Sequence, residues 1–264
     1  MPNWDEIRKI KDNKSLIIAE KKAAMKKADA FSAEMYHLNM KGEAVKAESS
    51  QAVSTGSLNV RVVINTTNII DSHCDCHIPG LWTKTLKENK TPYHIQEHNM
   101  KFTHIISENV KASAKTMSWA SLGYDFEGST QALIFDSIIE KERNEFMYNQ
   151  YLKGWVRNHS VGMRYVNLFL CINSEERYYY EEKDNWDKYI SQVANKDVAD
   201  ELGYFWAVTE AKLIEGSAVP IGSNYATPTL SVKNEPLEGT QKDSRNSTIE
   251  LSEFRELLKS NLKV

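Results

Sequence analysis

The chain has 264 residues, of which 41% are hydrophobic and 26% are charged, and its formal net charge is −3. These values are typical of a folded globular protein and exclude a largely disordered chain. A charge so close to neutral gives no general attraction for nucleic acid or for an anionic membrane, so we expect neither as a partner. No apolar run is long enough to span a membrane, and the polar first residues predict no secretory signal. The odd number of cysteines, three, favours a reducing compartment.

The first 50 residues are predicted to form an N-terminal helical arm. Asn3 and Glu6 have the spacing of a capping box, and apolar residues then recur at helical intervals to about Leu38. Lysines lie on the other faces of this pattern. Two interpretations stay open: a solvated face of a packed helix, or an arm that binds a partner.

The protein core is predicted at residues 51–224, after a linker candidate of small and polar residues at Ala47–Ser57. A long run of apolar residues at helical spacing predicts a helix over Thr130–Leu152, with Gly154 as its C-cap. Residues rich in Val, Ile and aromatic side chains predict strands at Leu58–Ile64, Thr67–Ile70, Tyr93–Ile95, Phe102–Ile106, Val110–Met117, Trp119–Tyr124, Ser160–Cys171 and Tyr204–Ile214.

Two further segments depart from the strand pattern. Residues 173–203 are acidic and aromatic, and they are predicted to form a helical insertion. Residues 225–264 are predicted to form a flexible tail, because the stretch to Arg245 is rich in Ser, Thr, Asn, Pro and Gly. The tail ends in an amphipathic helix over Ser247–Leu262, which is typical of a segment that docks on a partner.

The sequence His73-Cys-Asp-Cys-His77 contains five residues of the types that bind metal ions. In an extended chain, alternate side chains point to opposite faces, so the five cannot converge on one ion. Zinc sites usually take paired ligands from two separate segments, and the chain has no second cysteine pair. We therefore expect no metal and no other cofactor, and a metal or thiol site at Cys74 and Cys76, which would need a tight loop, is the last of the alternatives.

A candidate nucleophile lies at Ser160, where the helix-like pattern changes to a strand-like one and the small residue Gly162 follows. A serine hydroxyl becomes a good nucleophile only when a base removes its proton, and the base needs an orienting group. The candidate base is His98, in the sequence Glu97-His98-Asn99. Pairs of Ser and His are common, so the residue types alone do not define the site.

Four segments between Leu58 and Asn224 give this pair a context. In chain order the segments are Asp71–Leu86, Tyr93–Asn99, Leu152–Arg164 and Thr209–Asn224. The first segment contains Asp75 and the turn Pro79-Gly-Leu-Trp, and the last contains the sequence Ala-Lys-Leu-Ile-Glu-Gly-Ser-Ala-Val-Pro. In this order the four segments resemble the prohead maturation proteases of tailed bacteriophages.

The resemblance assigns roles to individual residues. The family's second segment ends in the catalytic histidine, which falls on His98. The family's third segment, G…L-S-I-G-F, carries the nucleophile, which falls on Ser160. Val161 and Met163 stand where the family often has Ile and Phe. The long acidic insertion and the two cysteines of the first segment are further departures.

The resemblance implies an α+β fold similar to herpesvirus assemblin, with a small, mostly antiparallel β-barrel surrounded by helices and with helical extensions at both termini. It implies a serine endopeptidase that cuts scaffold and capsid proteins inside the viral procapsid, in the cytoplasm of the host bacterium. Dimerisation to a homodimer, or confinement in the shell, is expected for activity. The flexible tail after Asn224 is a candidate region for self-cleavage.

The third catalytic residue differs within this group of proteins, because assemblin uses a second histidine. Glu215 matches the acidic residue of the closing segment, and a carboxylate on a neighbouring strand could orient His98. The alternatives are Glu210, Asp75 and His159, and Glu215 could equally be a buried structural residue. His159 is poorly placed for Ser160, since adjacent side chains on a strand point apart.

A different class of function also fits the sequence. The helical arms at both ends could make the protein a non-catalytic assembly factor with a protease-like fold, which binds scaffold or capsid protein without cutting it. Processing of a partner by the wild-type protein separates the two hypotheses.

Overall fold

The computed structural model describes residues 2–27, 56–88 and 90–234. The strands are β1 (Lys26–Lys27), β2 (Ser57–Thr66), β3 (Asp75–His77), β4 (Tyr93–Gln96), β5 (Ile105–Ser107), β6 (Asn109–Ser118), β7 (Ser129–Glu140), β8 (Asn158–Ile172), β9 (Tyr204–Val219) and β10 (Thr229–Asn234). The α-helices are α1 (Trp4–Asp12), α2 (Lys14–Ala23), α3 (Thr83–Lys87), α4 (Glu145–Leu152), α5 (Tyr180–Tyr189) and α6 (Lys196–Leu202). Short 3-10 helices lie at Phe102–His104, Ala120–Leu122, Arg177–Tyr179 and Ile190–Gln192.

The strands of the described residues form two sheets. The six-stranded sheet has the order β1-β8-β9-β4-β5, with β3 paired separately to β9. The four-stranded sheet has the order β10-β2-β7-β6. Strand β9 pairs in parallel with β3 and β4, whereas β8 and β9 form a long antiparallel pair from Asn158↔Val219 to Ile172↔Tyr204.

The prediction of mixed helix and strand structure is confirmed, but the predicted β-barrel is not supported. A barrel needs one sheet whose first and last strands pair with each other. In the described part of the chain, the strands instead belong to two open sheets, which end at β1 and β5 and at β10 and β6.

The two sheets pack face to face around the main core. Leu133 and Phe135 of β7 share a buried cluster with Val161 of β8. Gly216 of β9 lies so close to Phe135 and Ile64 that a Cβ atom there would overlap both side chains. One face of the six-stranded sheet is therefore covered by the four-stranded sheet. Since side chains alternate along a strand, the residues next to Gly216 point to the other face.

The helix predicted over Thr130–Leu152 is wrong for its first half. Ser129–Glu140 is β7, which lies between β2 and β6 and is buried on both faces for much of its length. A strand covered on both faces lacks the usual polar and apolar alternation, so its sequence resembles that of a buried helix. The helix α4 begins only after Asn144, whose side chain accepts a hydrogen bond from the Met147 N–H.

Two predicted strands are also wrong, because Thr67–Ile70 forms no named strand and Trp119–Tyr124 contains a 3-10 turn. The strand predicted at Phe102–Ile106 begins only at Ile105, after a 3-10 helix at Phe102–His104. The insertion at residues 173–203 is helical as predicted, with α5 and α6. The predicted tail is wrong at its start, since Thr227 is fully buried and β10 pairs with β2. The rest of the tail, the terminal helix at Ser247–Leu262 and most of the predicted linker lie outside the described residues.

The described part of the N-terminal arm packs onto the core. Ile7 of α1 is fully buried, and the Lys11 and Lys14 ammonium groups pair with the buried Glu182 carboxylate at 2.6 and 2.7 Å. Helix α1 ends at Asp12 rather than continuing to Leu38, and β1 then pairs with β8. Of the two open interpretations, the packed helix fits these residues. None of the helices among the described residues is long and apolar enough to cross a membrane.

Candidate active site

The candidate active site lies on the face of the six-stranded sheet that points away from the four-stranded sheet. His98 Nδ1 is 2.6 Å from Glu215 Oε1, and both side chains are almost completely buried. A carboxylate can only accept at this contact, so Nδ1 carries the proton and Nε2 has the free lone pair. Nε2 is buried and has no hydrogen-bond partner within the described ranges. The imidazole is therefore in the tautomer of a general base.

The Ser217 hydroxyl forms a second link between His98 and Glu215, in addition to their direct contact. Its hydroxyl donates to Glu215 Oε2 at 2.7 Å and accepts from the backbone N–H of His98 at 3.0 Å. Glu215 and Ser217 are two residues apart on β9, so both side chains lie on the same face. The carboxylate is thus held by one bond from each of two neighbours, which fixes the ring position of His98 relative to β9.

The backbone around His98 adopts an unusual conformation. Glu97 and His98 both have a φ of 53°, in the left-handed region that non-glycine residues rarely occupy. The turn is held to the end of β9 by a hydrogen bond of 3.0 Å from the Glu97 N–H to the Ala218 carbonyl. Residues in such strained conformations persist when surrounding contacts hold them, and they are concentrated at functional sites.

Ser160 lies on β8 directly opposite Ser217 of β9. Directly paired residues on antiparallel strands point to the same face, with Cβ atoms about 4.5–5.5 Å apart. Ser160 therefore shares its face with Ser217, Glu215 and the His98 ring, and it is 2% exposed. The sheet register brings together the three residues that the sequence assigned to one site.

Two glycines shape the space around these side chains. The Glu215 carboxylate lies directly over Gly162, its partner on β8, where any Cβ atom would overlap Oε1. A Cβ atom at Gly222 would lie 2.8 Å from the His159 carbonyl oxygen and 3.6 Å from Ser160 Cβ. A larger residue at Gly162 would displace the Glu215 side chain, and one at Gly222 would press on the backbone of β8 next to Ser160.

The alternatives to Glu215 make other contacts. Asp75 pairs with Lys21 at 2.5 Å and accepts a bond from the Tyr165 hydroxyl at 2.8 Å. Glu210 accepts from Lys84 at 2.7 Å on the protein surface. His159 lies on the opposite face of β8 from Ser160, as the alternation of the strand predicts. Among the candidates, the geometry places Glu215 against His98.

His159 belongs to a second polar cluster, on the inner face of the sheet. The Tyr151 hydroxyl lies 3.0 Å from Nε2 of both His94 and His159. His159 Nδ1 faces the Thr227 carbonyl at 3.0 Å, and His94 Nδ1 faces the Ser137 hydroxyl at 3.1 Å. Burial and the neighbouring His159 lower the pKa of His94 to about 3, and burial lowers the pKa of His159 to about 4. Burial also raises the pKa of Tyr151 well above its usual value.

In this cluster every proton position follows from its partners. The Thr227 carbonyl requires a proton on His159 Nδ1, so His159 Nε2 accepts from Tyr151. The Tyr151 oxygen then accepts from His94 Nε2, and His94 Nδ1 accepts from Ser137. The chain of bonds is complete only when both histidines are neutral.

Residues in and next to the segment His73–His77 make structural contacts within the fold. The Asp71 carboxylate accepts from the backbone N–H groups of His73 and Asp75, at 2.8 and 3.0 Å. His77 Nδ1 lies 2.8 Å from the Asn65 amide nitrogen, and its Nε2 lies 3.3 Å from the Tyr165 hydroxyl. Burial raises the pKa of the Cys76 thiol well above its usual value. The described residues contain no group of three or more His, Cys, Asp or Glu side chains arranged to hold a metal ion.

Sequence reasoning missed Ser217 as a member of the site. The signal was present in the closing segment, because Glu215-Gly-Ser217 places two polar side chains on one face of a strand, with a glycine on the other. The role of Gly222 had no such signal, since it depends on contact with a strand more than 60 positions earlier in the chain. Comparison of the chain with family models, with curated proteins and with solved structures gave no match.

Proposed function

We propose that the chain is a serine endopeptidase in which Ser160 is the nucleophile, His98 the general base and Glu215 the orienting carboxylate. The observation that carries the proposal is the 2.6 Å contact between His98 Nδ1 and Glu215 Oε1. It lies on the sheet face that bears Ser160, and it leaves Nε2 of the ring as the proton acceptor. A base within reach of a hydroxyl, itself oriented by a third group, is the arrangement of serine hydrolases.

The proposed reaction is acyl transfer in two steps. As Ser160 Oγ attacks the carbonyl carbon of the scissile peptide bond, its proton passes to His98 Nε2. The imidazolium then gives this proton to the amine nitrogen, the C–N bond breaks, and an ester to Ser160 remains. Water attacks the ester with His98 again as base, which releases the carboxylic acid and restores the serine hydroxyl. In enzymes of this type the hydrogen bond between the base and the nucleophile is often long or poorly aligned without substrate and tightens only when substrate binds.

The Glu215 carboxylate has two tasks in this scheme. It holds the His98 ring so that Nε2 points along the sheet face, and its negative charge stabilises the imidazolium that forms during attack. Ser217 and the cleared space over Gly162 keep the carboxylate in place. Because the pair is buried, its electrostatic interaction is screened less than it would be in water.

We further propose that the substrates are scaffold and capsid proteins of a phage procapsid, with activity inside that shell. The support is the order of the four segments that resemble the prohead proteases, together with the placement of His98, Ser160 and Glu215 at one site. On this basis a homodimer or confinement in the shell is expected for full activity. The non-catalytic assembly factor is the competing hypothesis, and the described arm gives it less support because α1 and α2 pack on the core.

The test is co-expression of the full chain with the cognate scaffold and capsid proteins, followed by intact mass analysis of the products. We expect discrete fragments from the wild-type chain and none from Ser160→Ala or His98→Ala. The matched controls are Ser129→Ala and His104→Ala, which alter a serine and a histidine outside the site.

The two hypotheses give different results in this experiment. Cleavage that continues at the wild-type rate in Ser160→Ala would overturn the assignment of the nucleophile. Intact partner proteins that co-purify with the wild-type chain would favour the assembly factor.

A further inference from the structure

A cavity of about 310 Å³ lies beside the candidate active site. The Glu97 side chain lines it, and Glu97 directly precedes His98 in the strained turn. Asn158 and Val219 also line it, and they form the strand pair two positions along from Ser160 and Ser217. Two residues of a strand advance by about 6.6 Å and return to the same face, so Asn158 and Val219 continue the face of Ser160. Gln96 and Ala218 of the lining lie on the opposite face, with His159, so the cavity lies at the end of the sheet and meets both faces there.

The inner wall of the cavity is apolar and rigid. Met147 of α4, Ala218 and Val219 line it and are each less than a tenth exposed. The Met147 backbone N–H donates to the Asn144 side chain at the N-cap of α4, and the other two residues belong to β9, the central strand of the sheet. This part of the wall favours an apolar group, whereas the amide side chains of Gln96, Gln150 and Asn158 line other parts of the cavity.

The mouth of the cavity is flanked by two exposed aromatic side chains. Phe146 is 60% exposed and Trp155 is 59% exposed. The Lys153 ammonium lies 4.5 Å from the centre of the Trp155 ring, a cation–π contact that holds the ring in position. Exposed aromatic residues around an apolar recess are typical of a binding surface.

Charge does not select the occupant of this cavity. Glu97 and Arg157 both line it and both are exposed, so one acidic and one basic group lie at its edge. Their opposite charges give no preference for an acidic or a basic side chain. The volume is at the lower end of the range for ligand pockets, about 300–1,000 Å³, which suits a single side chain better than a cofactor.

We propose that this cavity is the specificity pocket of the enzyme and binds a large aliphatic or aromatic side chain of the substrate, at a position directly beside the scissile bond. The inference rests on the proposed function, because it needs Ser160 as the nucleophile. The substrate class it names is a peptide with Leu, Met or Phe next to the cleaved bond. Trp155 and Phe146 are its specificity-determining residues.

The first test is a digest of a synthetic library of decapeptides with randomised sequences, with cleavage positions read by mass spectrometry. We expect Leu, Met or Phe to be enriched at least ten-fold over Ala at one of the two positions that flank the cleaved bond. A few methylene groups in an apolar pocket account for discrimination of this size. Trp155→Ala and Phe146→Ala are expected to reduce the enrichment to three-fold or less.

The matched control for these variants is Tyr180→Ala, because Tyr180 is also 60% exposed and does not line the cavity. This variant should keep the wild-type preference. Cleavage that depends on Ser160 but shows no apolar preference, or a preference that both pocket variants retain, would overturn the inference and leave the nucleophile intact.

A second measurement examines the pocket without any catalysis. In Ser160→Ala protein with ¹³C-methyl methionine, the Met147 signal is identified by its loss in Met147→Leu. N-acetyl-leucine amide should shift this signal in a saturable way, and N-acetyl-aspartate amide should not. If no peptide is cleaved but N-acetyl-leucine amide shifts the Met147 signal, the proposed protease activity is wrong and the pocket is supported. If the Met147 signal does not change, the proposed pocket is wrong.

Discussion

The carboxylate of Glu215 occupies the space over Gly162 that any other residue would fill with its Cβ atom. The two residues are direct partners on β9 and β8, and Gly162 is two positions from Ser160. Because Gly162 has no side chain, the Glu215 carboxylate can lie over β8 and reach His98. The glycine has ordinary backbone angles for a strand, so the requirement is for space alone.

Gly162→Ala should therefore inactivate the protein while leaving it folded. The added methyl group forces Glu215 away from its present position, and the contact with His98 Nδ1 is lost or lengthened. Displacement of a catalytic group by about 1 Å can reduce the rate roughly 100-fold. The measurement is the rate of peptide cleavage alongside thermal unfolding. Full activity in a variant that unfolds at the wild-type temperature would contradict this account of Gly162.

Glu215→Gln should reduce kcat by about 10⁴-fold, the loss known for the corresponding change in a Ser-His-Asp protease. The amide can donate to Nδ1, which would place the proton on Nε2 and remove the base. Glu210→Gln is the control, because Glu210 binds Lys84 and Asn167 at the surface. A loss smaller than ten-fold in the first variant would show that Glu215 is a structural residue.

The fold was predictable where strands have one covered face. The strand pattern correctly placed Ser160 on a strand, whereas the strand predicted at Tyr204–Ile214 stops one residue before Glu215, which lies on β9. The pattern failed for β7, which is covered on both faces and so resembles a helix in its spacing. The closing strand β10 was missed because its flanking Ser, Thr, Asn and Pro residues are typical of a mobile tail.

The resemblance singled out three residues that share one face of the sheet, but it did not predict their contacts. The order of the segments singled out His98, Ser160 and Glu215, but the sequence offered four candidates for the orienting group. The choice among them depends on which strands are neighbours, and a single sequence does not contain that pairing. The spacing of Glu215 and Ser217 indicated a shared face, but the bond from the His98 N–H to Ser217 depends on the turn at Glu97, which the sequence did not predict.

Stability should fall in mild acid because of the histidine cluster on the inner face. The pKa values of His94 and His159 are lowered to about 3 and about 4 in the folded protein, against 6.5 in the unfolded chain. At pH values between the folded and unfolded pKa, the unfolded state binds more protons than the folded state. The free energy of unfolding therefore decreases as pH falls below about 6.5. At pH 5 each histidine accounts for a loss on the order of 2 kcal/mol.

The measurement is urea unfolding at pH 7 and pH 5. The double variant His94→Gln and His159→Gln should lose less stability between the two pH values than the wild-type chain does. His104→Gln, which changes a histidine at the surface turn, should keep the wild-type dependence. If all three proteins lose the same stability between pH 7 and pH 5, the histidine cluster is not the cause of the loss in acid.

Lys21→Met should destabilise the protein by about 3–5 kcal/mol, the usual cost of leaving one partner of a buried ion pair unpaired. The Lys21 ammonium is 2.5 Å from the fully buried Asp75 carboxylate, and it also lies 5.4 Å from the Trp206 ring centre. Lys22→Met is the control at the next position along α2. Chemical denaturation measures both, and a change below 1 kcal/mol in Lys21→Met would indicate that solvent or another cation replaces the ammonium.

The contacts of the N-terminal helices also set an order of events during synthesis. Lys11 and Lys14 leave the ribosome before their partner Glu182, which follows 171 and 168 residues later. Ile7 packs in a cluster that includes Trp206 of the long strand β9. Helices α1 and α2 therefore cannot reach their buried positions until α5 and β9 have been made. Until then the apolar side chain of Ile7 lacks the partners that cover it in the folded protein.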